Sequence, residues 1–501
     1  MQSIAIMALF TVLLTAQGRL PNIVLILADD LGYGDVGCFN DESKIPTPEI
    51  DALATAGIRF TDAHTPSSVC TPTRYGILTG RYAWRTRLKK SVLWPWDPPL
   101  LEDDRITLPE LLKDRGYSTA CIGKWHLGWD WPVQPKGYIS DVFSGHTLSS
   151  KRKLKFQARI DFKRPIRSGP ITHGFDHYFG DDVPNFPPYT YIQNDRVVTQ
   201  PTVPKPKKLF GSPGPTAPGW DLAAVLPELA LRSSAWIQQA AKNKKKPFFL
   251  YVPLTAPHTP IAPRKPHLGK SRAGLYGDFV CEVDWVVGEI VRSLRRSGEL
   301  ENTLLIFTSD NGSPQRNGKN FGGPIGSVKK QYGHDPSRPW RGMKADAWEG
   351  GHRVPFIAHW PKRITSGQAS ANPLVVTDLY RTIANIVKVT VPKNAGEDSF
   401  DFTAHLLGSK DAPQPHRNHM VHHSHKGLFA IRIGSWKLIE GKTSGGFTKF
   451  KPPADAPVGQ LYDLSKDPSE ARNVYAQNPK IVKRLHDRLQ GIKDAGRSNR
   501  N

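Results

Sequence analysis

Two small groups of residues have types and spacings that could do chemistry. Asp29 and Asp30 are neighbouring carboxylates directly after an apolar run, and Asp310 and Asn311 follow another such run. Paired carboxylates in a crevice repel each other unless a cation neutralises them. With the Asn amide the donors are all oxygen, which suits Ca2+ (Mg2+ possible) rather than Zn2+. The second group is Cys70-Thr71-Pro72-Thr73-Arg74. Pro72 fits the first turn of a helix, which places Cys70 at the cap, where backbone N–H groups favour anions. Arg74 lies four residues on, hence on the same face, and its guanidinium can grip a tetrahedral oxyanion. Taken singly, each feature has a plainer reading, as helix-capping carboxylates or a buried structural Cys.

These groups need a scaffold that brings them together. Residues 22–28 (NIVLILA), 248–252 (FFLYV) and 303–308 (TLLIFT) are short apolar runs that stop abruptly at polar residues. Such runs, separated by helical stretches such as residues 49–56, indicate an α/β fold whose sheet is covered on both faces. In open sheets of this kind ligands bind beyond the carboxyl ends of the strands. All three runs carry ionisable groups there: Asp29 and Asp30, His258, and Asp310. Residues 184–218 are rich in Pro and read as a long surface excursion, and residues 391–415 read as a domain boundary. Beyond it, residues 429–439 (FAIRIGSWKLI) alternate like a half-buried strand. Asn478 and Pro479 then offer an N-cap and a first helical residue, with Ile481, Leu485 and Leu489 on one face. The expected division is a signal peptide at 1–18, a catalytic domain at 19–415 and a small C-terminal α+β domain at 416–501.

The 501 residues carry 68 Lys+Arg against 45 Asp+Glu, a formal charge of +23. So large an excess implies an anionic partner, and without a zinc finger, RNA-recognition signature or basic-region heptad that partner is not nucleic acid. With 13 Trp, 21 Phe and 14 Tyr the chain is not disordered throughout, and four Cys cannot staple a chain this long. Residues 4–16 (IAIMALFTVLLTA) are too short to span a bilayer and sit where a secretory signal belongs, before a small-x-small site at Ala16-Gln17-Gly18. No Lys or Arg occurs in the first ten residues, an atypical feature for a signal. The reading is an exported protein, periplasmic or secreted, with no membrane segment once the signal is removed.

Ser68-Val69-Cys70-Thr71-Pro72-Thr73-Arg74, running on to Leu78-Thr79-Gly80, resembles the signature of the type I, formylglycine-dependent sulfatases. Gly116-Tyr117-Ser118-Thr119 with Ile122-Gly123-Lys124-Trp125-His126 is similar to that family's second signature. Further matching stretches run in the family's order: residues 29–35 (DDLGYGD), His173-Gly174-Phe175-Asp176, Ala256-Pro257-His258 and Ser309-Asp310-Asn311-Gly312. Arg341-Gly342-Met343-Lys344 and Trp348-Glu349-Gly350-Gly351 complete the set, so the resemblance covers residues 21 to about 440.

The resemblance implies an alkaline-phosphatase-like α/β sandwich, with a large mixed sheet and a small C-terminal α+β domain. It implies that Cys70 is oxidised to formylglycine by a maturation enzyme. Asp29, Asp30, Asp310, Asn311 and the formylglycine at position 70 then correspond to the ligands of one Ca2+. The hydrated aldehyde is a geminal diol, one hydroxyl of which attacks sulfur while the alcohol leaves in line. Arg74 and Lys124 stabilise the diol and the developing charge. His258 and Lys344 match positions that touch the sulfate and its leaving oxygen, with His258 the candidate general acid. His126 matches the base that deprotonates the second hydroxyl and expels sulfate. Asn185 lies about where the family often places a polar residue of the sulfate pocket. The implied substrate is a sulfated carbohydrate or an aryl sulfate, and the charge and export signal favour the carbohydrate.

Three features stand apart from that set. Residues 151–167 hold eight basic residues and one acidic one, either a contact for a sulfated polymer or a solvated hairpin. His416, His419, His422, His423 and His425 precede a strand without acidic or Cys partners beside them, which suggests a strand edge at the rim of the site with His423 touching substrate. Cys38, Cys121 and Cys281 can form one disulfide at most, and Cys121, close to Lys124, is expected buried and reduced. Two rival functions remain at this stage: a phosphoester or phosphonate-ester hydrolase of the same superfamily, or a sulfated-glycan-binding protein without activity. The C-x-P-x-R segment disfavours the first, and the filled catalytic positions disfavour the second.

Overall fold

Alternation along one strand explains the two-layered core. In the strand Asn22–Asp29, Ile23, Leu25 and Leu27 enter one hydrophobic cluster, while Val24, Ile26 and Ala28 enter another on the opposite face. The computed structural model describes residues 19–134, 155–208, 210–409, 411–412 and 416–499. Asn22–Asp29 is central to a ten-stranded mixed sheet, flanked in parallel by Thr303–Ser309 and Phe248–Pro257. Beyond Phe248–Pro257 come Ser118–Ile122 and His177–Gly180, both parallel, and then a short antiparallel hairpin of Ile192–Gln193 and Arg196–Val197. Beyond Thr303–Ser309 come antiparallel Phe356–His359, then Ile58–Phe60 and Gln368–Ser370.

Helices Val225–Ala240 and Gly274–Arg296 supply the layer on the Val24 side. Cys70–Thr79, Leu108–Asp114 and Leu379–Ile386 supply the layer on the Ile23 side. The three apolar runs read from sequence are therefore adjacent strands of one sheet. All three are longer than expected: Asp29 ends the first strand, the second runs ten residues, through Pro257, and the third runs through Ser309.

The C-terminal part is a four-stranded antiparallel sheet in chain order, Met420–His423, Phe429–Ile433, Trp436–Ile439 and Gln460–Asp463. The helix Pro479–Asp494 lays Leu485, Leu489 and Ile492 on it, with Tyr82 and Trp84 of the large part closing the same cluster. Lys437 extends that contact as a buried cation, 2.9 Å from Glu349 and 2.8 Å from Glu470. Among the described residues no helix is long and apolar enough to cross a membrane. All four Cys are free thiols, and Cys121 is buried, as read from sequence. Residues 151–154 of the basic segment lie outside the described residues.

Candidate active site

The carboxyl ends of the central strands converge on Cys70. Asp29 closes its strand, and Asp30 turns away with a left-handed φ of 68°, a conformation that carboxamide and carboxylate side chains tolerate better than most. The Asp30 N–H donates to Asp310 Oδ1 at 3.2 Å, which ties together the ends of two neighbouring strands. Cys70 is the first residue of the helix Cys70–Thr79, with Val69 as its N-cap, one position from the cap expected. Its Sγ lies 3.5 Å from Asp29 Oδ1, 4.0 Å from Asp30 Oδ1 and 3.3 Å from Lys344 Nζ. Burial, followed by the charge of Asp310, pushes the thiol well above its ordinary range, so the unmodified side chain is a neutral S–H and a poor nucleophile.

Three cations face three carboxylates. Arg74 donates through Nε and Nη2 to Asp310 Oδ2 at 3.0 and 2.8 Å, with its remaining arm on the Lys124 carbonyl. Lys124 Nζ meets Asp29 Oδ2 at 2.6 Å, and Lys344 Nζ meets Asp30 Oδ1. Lys124 reaches this point because the preceding residue is Gly123: a Cβ there would stand 1.9 Å from the Pro253 carbonyl, on the neighbouring strand. Burial alone would raise the Asp29 pKa, but Lys124, His258, Arg74 and Lys344 together hold it well below the carboxylate range. For Asp310 burial and then Asp29 prevail, and it is pushed up to about 6.

The two histidines differ in what they leave free. His126 places Nε2 3.0 Å from the Leu93 carbonyl, so that nitrogen carries the proton, and Nδ1 is buried without a partner among the described residues. Burial, Lys124 and Arg74 hold its pKa well below the usual value, so Nδ1 is a bare lone pair, the form of a base. His258 places Nδ1 2.6 Å from the Thr259 carbonyl and Nε2 3.8 Å from Asp30 Oδ2, and burial lowers its pKa to about 4. In the free site Nε2 is thus an acceptor, and it donates only after taking up a second proton.

The donor set fits a hard divalent cation. Ligand atoms from Asp29, Asp30, Cys70 and His258 lie within 4.8 Å of one another, and Asn311 Oδ1 is a buried oxygen with no hydrogen-bond partner among the described residues. Asp310 stands beside this group with its oxygens engaged by Arg74 and the Asp30 N–H.

Above these groups is a cavity of about 560 Å³ lined by Asp30, Cys70, His126, His258 and Lys344, and also by Asn185. The loosely spaced Asn185 is therefore brought to the site, its Oδ1 buried and unpartnered among the described residues. His423 is not. It is 1% exposed, does not line the cavity, and hydrogen-bonds the Ser424 carbonyl, while its own carbonyl accepts from the Ser68 N–H. The strand therefore uses His423 as a buried link to the loop before Cys70, and His425, two residues on, lines the cavity instead. Sequence reasoning also missed Trp94, Phe186, Phe210, Arg316 and Phe447, which also line the cavity.

The sulfatase family model matches residues 21–389, and the model described as N-sulphoglucosamine sulphohydrolase, C-terminal, matches residues 344–495. N-acetylgalactosamine-6-O-sulfatase of Bacteroides thetaiotaomicron is 33% identical, over 94% of this chain and 93% of its own. Arylsulfatase A of Homo sapiens is also 33% identical, over 94% of this chain and 87% of its own. A solved Bacteroides thetaiotaomicron sulfatase from a glycosaminoglycan-metabolism locus superposes with a TM-score of 0.78 at 28% identity, covering 95% of this chain and 100% of that one. The ten-stranded sheet and small four-stranded sheet are thus the alkaline-phosphatase-like arrangement of these enzymes. This chain belongs to the sulfatase family and is a sulfate-ester hydrolase.

Proposed function

We propose that the enzyme cleaves a sulfate ester of a carbohydrate with a formylglycine made from Cys70, beside a Ca2+ held by Asp29, Asp30, Asp310, Asn311 and the modified residue 70. The observation that carries this reading is the convergence of Asp29, Asp30, Lys344 and His258 on one buried Cys at a helix N-terminus and a cavity floor. Support for a carbohydrate comes from the relative that acts on N-acetylgalactosamine 6-O-sulfate and from the +23 charge. The Ca2+, when bound, neutralises sulfate charge and orients one of its oxygens. The formylglycine, as its hydrate, supplies an oxygen nucleophile and a second hydroxyl, which a plain Ser or Cys lacks.

The remaining work falls to this chain's own groups. Arg74 and Lys124 hold the attacking side in place through Asp310 and Asp29 and stabilise developing negative charge. Lys344 and Asn185 grip sulfate oxygens. Substrate anion favours a second proton on His258, which then passes it from Nε2 to the leaving alkoxide. His126 Nδ1 takes the proton of the second hydroxyl, with Leu93 keeping the ring in the required tautomer. Residues 19–415 act as the catalytic unit, with 416–501 lending its rim through His425. Residues 1–18 direct export to the periplasm or medium.

The test is the mass of tryptic fragment 60–74 from protein made together with a maturation enzyme. Replacement of the thiol by an aldehyde, with hydrolysis of a sulfated sugar, supports the mechanism. An unmodified Cys70 despite a competent maturation enzyme removes it.

A further inference from the structure

The cavity over Cys70 holds one cation that the sulfate chemistry does not use. Arg316 lies five residues after Asn311, on the loop that leaves the strand Thr303–Ser309 and passes the metal-ligand position. Lys344, the other Lys or Arg in the lining, is paired with Asp30. Arg316 has no carboxylate within ion-pair distance among the described residues, and its one hydrogen bond there runs from Nη1 to the Gly323 carbonyl. A half-buried guanidinium with five N–H donors and one engaged arm is an open fork for a planar or tetrahedral anion.

The loop holds that fork in place. Gln315, at a left-handed φ of 58°, anchors its amide to Asp335 and Ser337, each at 3.2 Å, and accepts the Val328 N–H. Asn317 donates its N–H to Ser327 at 3.0 Å. Gly323, which receives Nη1, cannot carry a side chain: its φ is +85° and a Cβ would stand 2.0 Å from the Asn317 amide oxygen. A cation fixed from both sides keeps its position before ligand arrives, so little conformational entropy is lost on binding.

The rest of the lining suits a sugar ring rather than a second charged wall. Trp94 stacks on Phe186, centroids 5.4 Å apart, and Phe186 also meets the edge of His126. Phe210 packs over Gly322, so the backbone next to the Arg316 acceptor is roofed by an aromatic ring. Phe447 and His425 close the cavity from the C-terminal part, their ring centroids 5.9 Å apart. Apolar ring faces accept the C–H faces of a pyranose, and the cavity volume falls within the ordinary range for ligand pockets.

From this geometry we propose that Arg316 is a specificity determinant for a second anionic group on the substrate, either a further sulfate or the carboxylate of a linked uronic acid. The inference rests on the sulfated-carbohydrate reading above and narrows it: the preferred substrate is dianionic, with its ring against Trp94 and Phe186 and its second anion on the Arg316 fork. The cleaved sulfate ester and the recognised anion are separate groups, so the chemistry at position 70 does not change.

The experiment compares kcat/KM for p-nitrophenyl sulfate, a disulfated hexosamine and a monosulfated hexosamine linked to a uronic acid, in the wild type, Arg316→Met and Arg316→Lys. The readout is the ratio of each dianionic substrate to the aryl sulfate, in which the fraction of folded, converted enzyme cancels. Losing a charge-assisted hydrogen bond of about 1.5–3 kcal/mol predicts a roughly 10- to 150-fold fall in that ratio for Arg316→Met, partly restored in Arg316→Lys. Which of the two substrates shows the fall identifies the second anion as sulfate or carboxylate. A ratio that Arg316→Met leaves unmoved for both substrates overturns the proposal. Should the fully converted wild type hydrolyse none of the three, the sulfatase mechanism fails, and calorimetric titration of the same disulfated hexosamine and sulfated uronate disaccharide into Cys70→Ala, with and without Arg316→Met, still decides the Arg316 question. Equal affinity in the two proteins refutes it.

Discussion

Replacing Asp181 by Asn removes a carboxyl group that the fold keeps in an adverse setting. Asp181 follows the strand His177–Gly180, is 3% exposed, and neither carboxyl oxygen has a hydrogen-bond partner among the described residues. Its backbone carbonyl, by contrast, accepts from Trp125 and Tyr178, so the chain path does not depend on the carboxylate. Burial, and then the neighbouring Asp182, raise its pKa from 3.8 to about 7. A carboxyl group raised in this way binds more protons folded than unfolded between those two values. Stability is therefore present below the unfolded value and is lost as pH rises towards 7, flattening beyond it. The cost is ~1.7 kcal/mol at pH 5 and ~4 kcal/mol at pH 8. An Asn of the same shape carries no such cost, so Asp181→Asn is expected to be more stable than the wild type. The pH-dependent part of the gain between pH 5 and 8 is ~2–3 kcal/mol. Urea unfolding of both proteins, followed by Trp fluorescence at pH 5, 6, 7 and 8 in one Ca2+ buffer, measures the difference. A gain that does not grow with pH, or a loss at every pH, refutes the argument that Asp181 is a buried carboxyl group without compensation.

Chelation should abolish turnover of p-nitrophenyl sulfate and Ca2+ should restore it; activity that survives exhaustive dialysis against EDTA contradicts the assignment of the oxygen-donor cluster. His126→Ala is expected to lower kcat by about 10²–10⁴ with a smaller effect on KM, as befits a group that moves a proton rather than grips substrate. A change confined to KM in steady-state kinetics counts against that role. Lys437→Met leaves Glu349 and Glu470 buried without their shared cation, and should destabilise by about 3–5 kcal/mol. Denaturant midpoints check it, and a neutral result means the two carboxyl groups take up protons at no cost.

Local rules made the strand ends and the Cys70 helix of the candidate site readable in the sequence, whereas Lys124, His126 and Lys344 entered through the family resemblance. Asp29, Asp310 and His258 each sit just where an apolar run ends, and a parallel sheet forces those ends to one side, so three separated segments pointed to one place. Cys70 and Arg74 were tied to each other by helical spacing alone. The lining of the cavity had no such rule. Trp94, Phe186, Phe210 and Phe447 come from irregular segments whose only common property is their place in the folded chain. Asn185 was reached only through the family resemblance, by a loose match in spacing, without any local signal. The error over His423 has the same origin. Which His of 419–425 faces the cavity depends on where the strand Met420–His423 docks on the loop before Cys70, and a pairing at Ser67 fixes that register through backbone groups invisible in side-chain patterns.

The electrostatics of the centre explain why so many charges can be buried together and still bind an anion. Asp29, Asp30 and Asp310 balance Arg74, Lys124 and Lys344, so the protein part is neutral and each charge has a partner. Neutrality lets the cluster persist with near-zero exposure, where an unmatched charge would cost several kcal/mol. A divalent cation among the same oxygens turns that neutral cluster into one of net +2, which favours a sulfate ester over water on the cavity side. A cation bound there would set the affinity of the pocket for anions, while the protein charges set geometry: Arg74 is spent on Asp310, Lys124 on Asp29, and of the three cations only Lys344 touches both Cys70 and the cavity. On this reasoning Lys344→Met should weaken sulfate inhibition of the enzyme, because it leaves Asp30 without its cation and lowers the net charge facing the ligand. Inhibition of p-nitrophenyl sulfate hydrolysis by inorganic sulfate, measured with Ca2+ saturating, tests it. An inhibition constant equal to that of the wild type would mean that the bound cation alone holds the anion, with Lys344 serving only to orient residue 70.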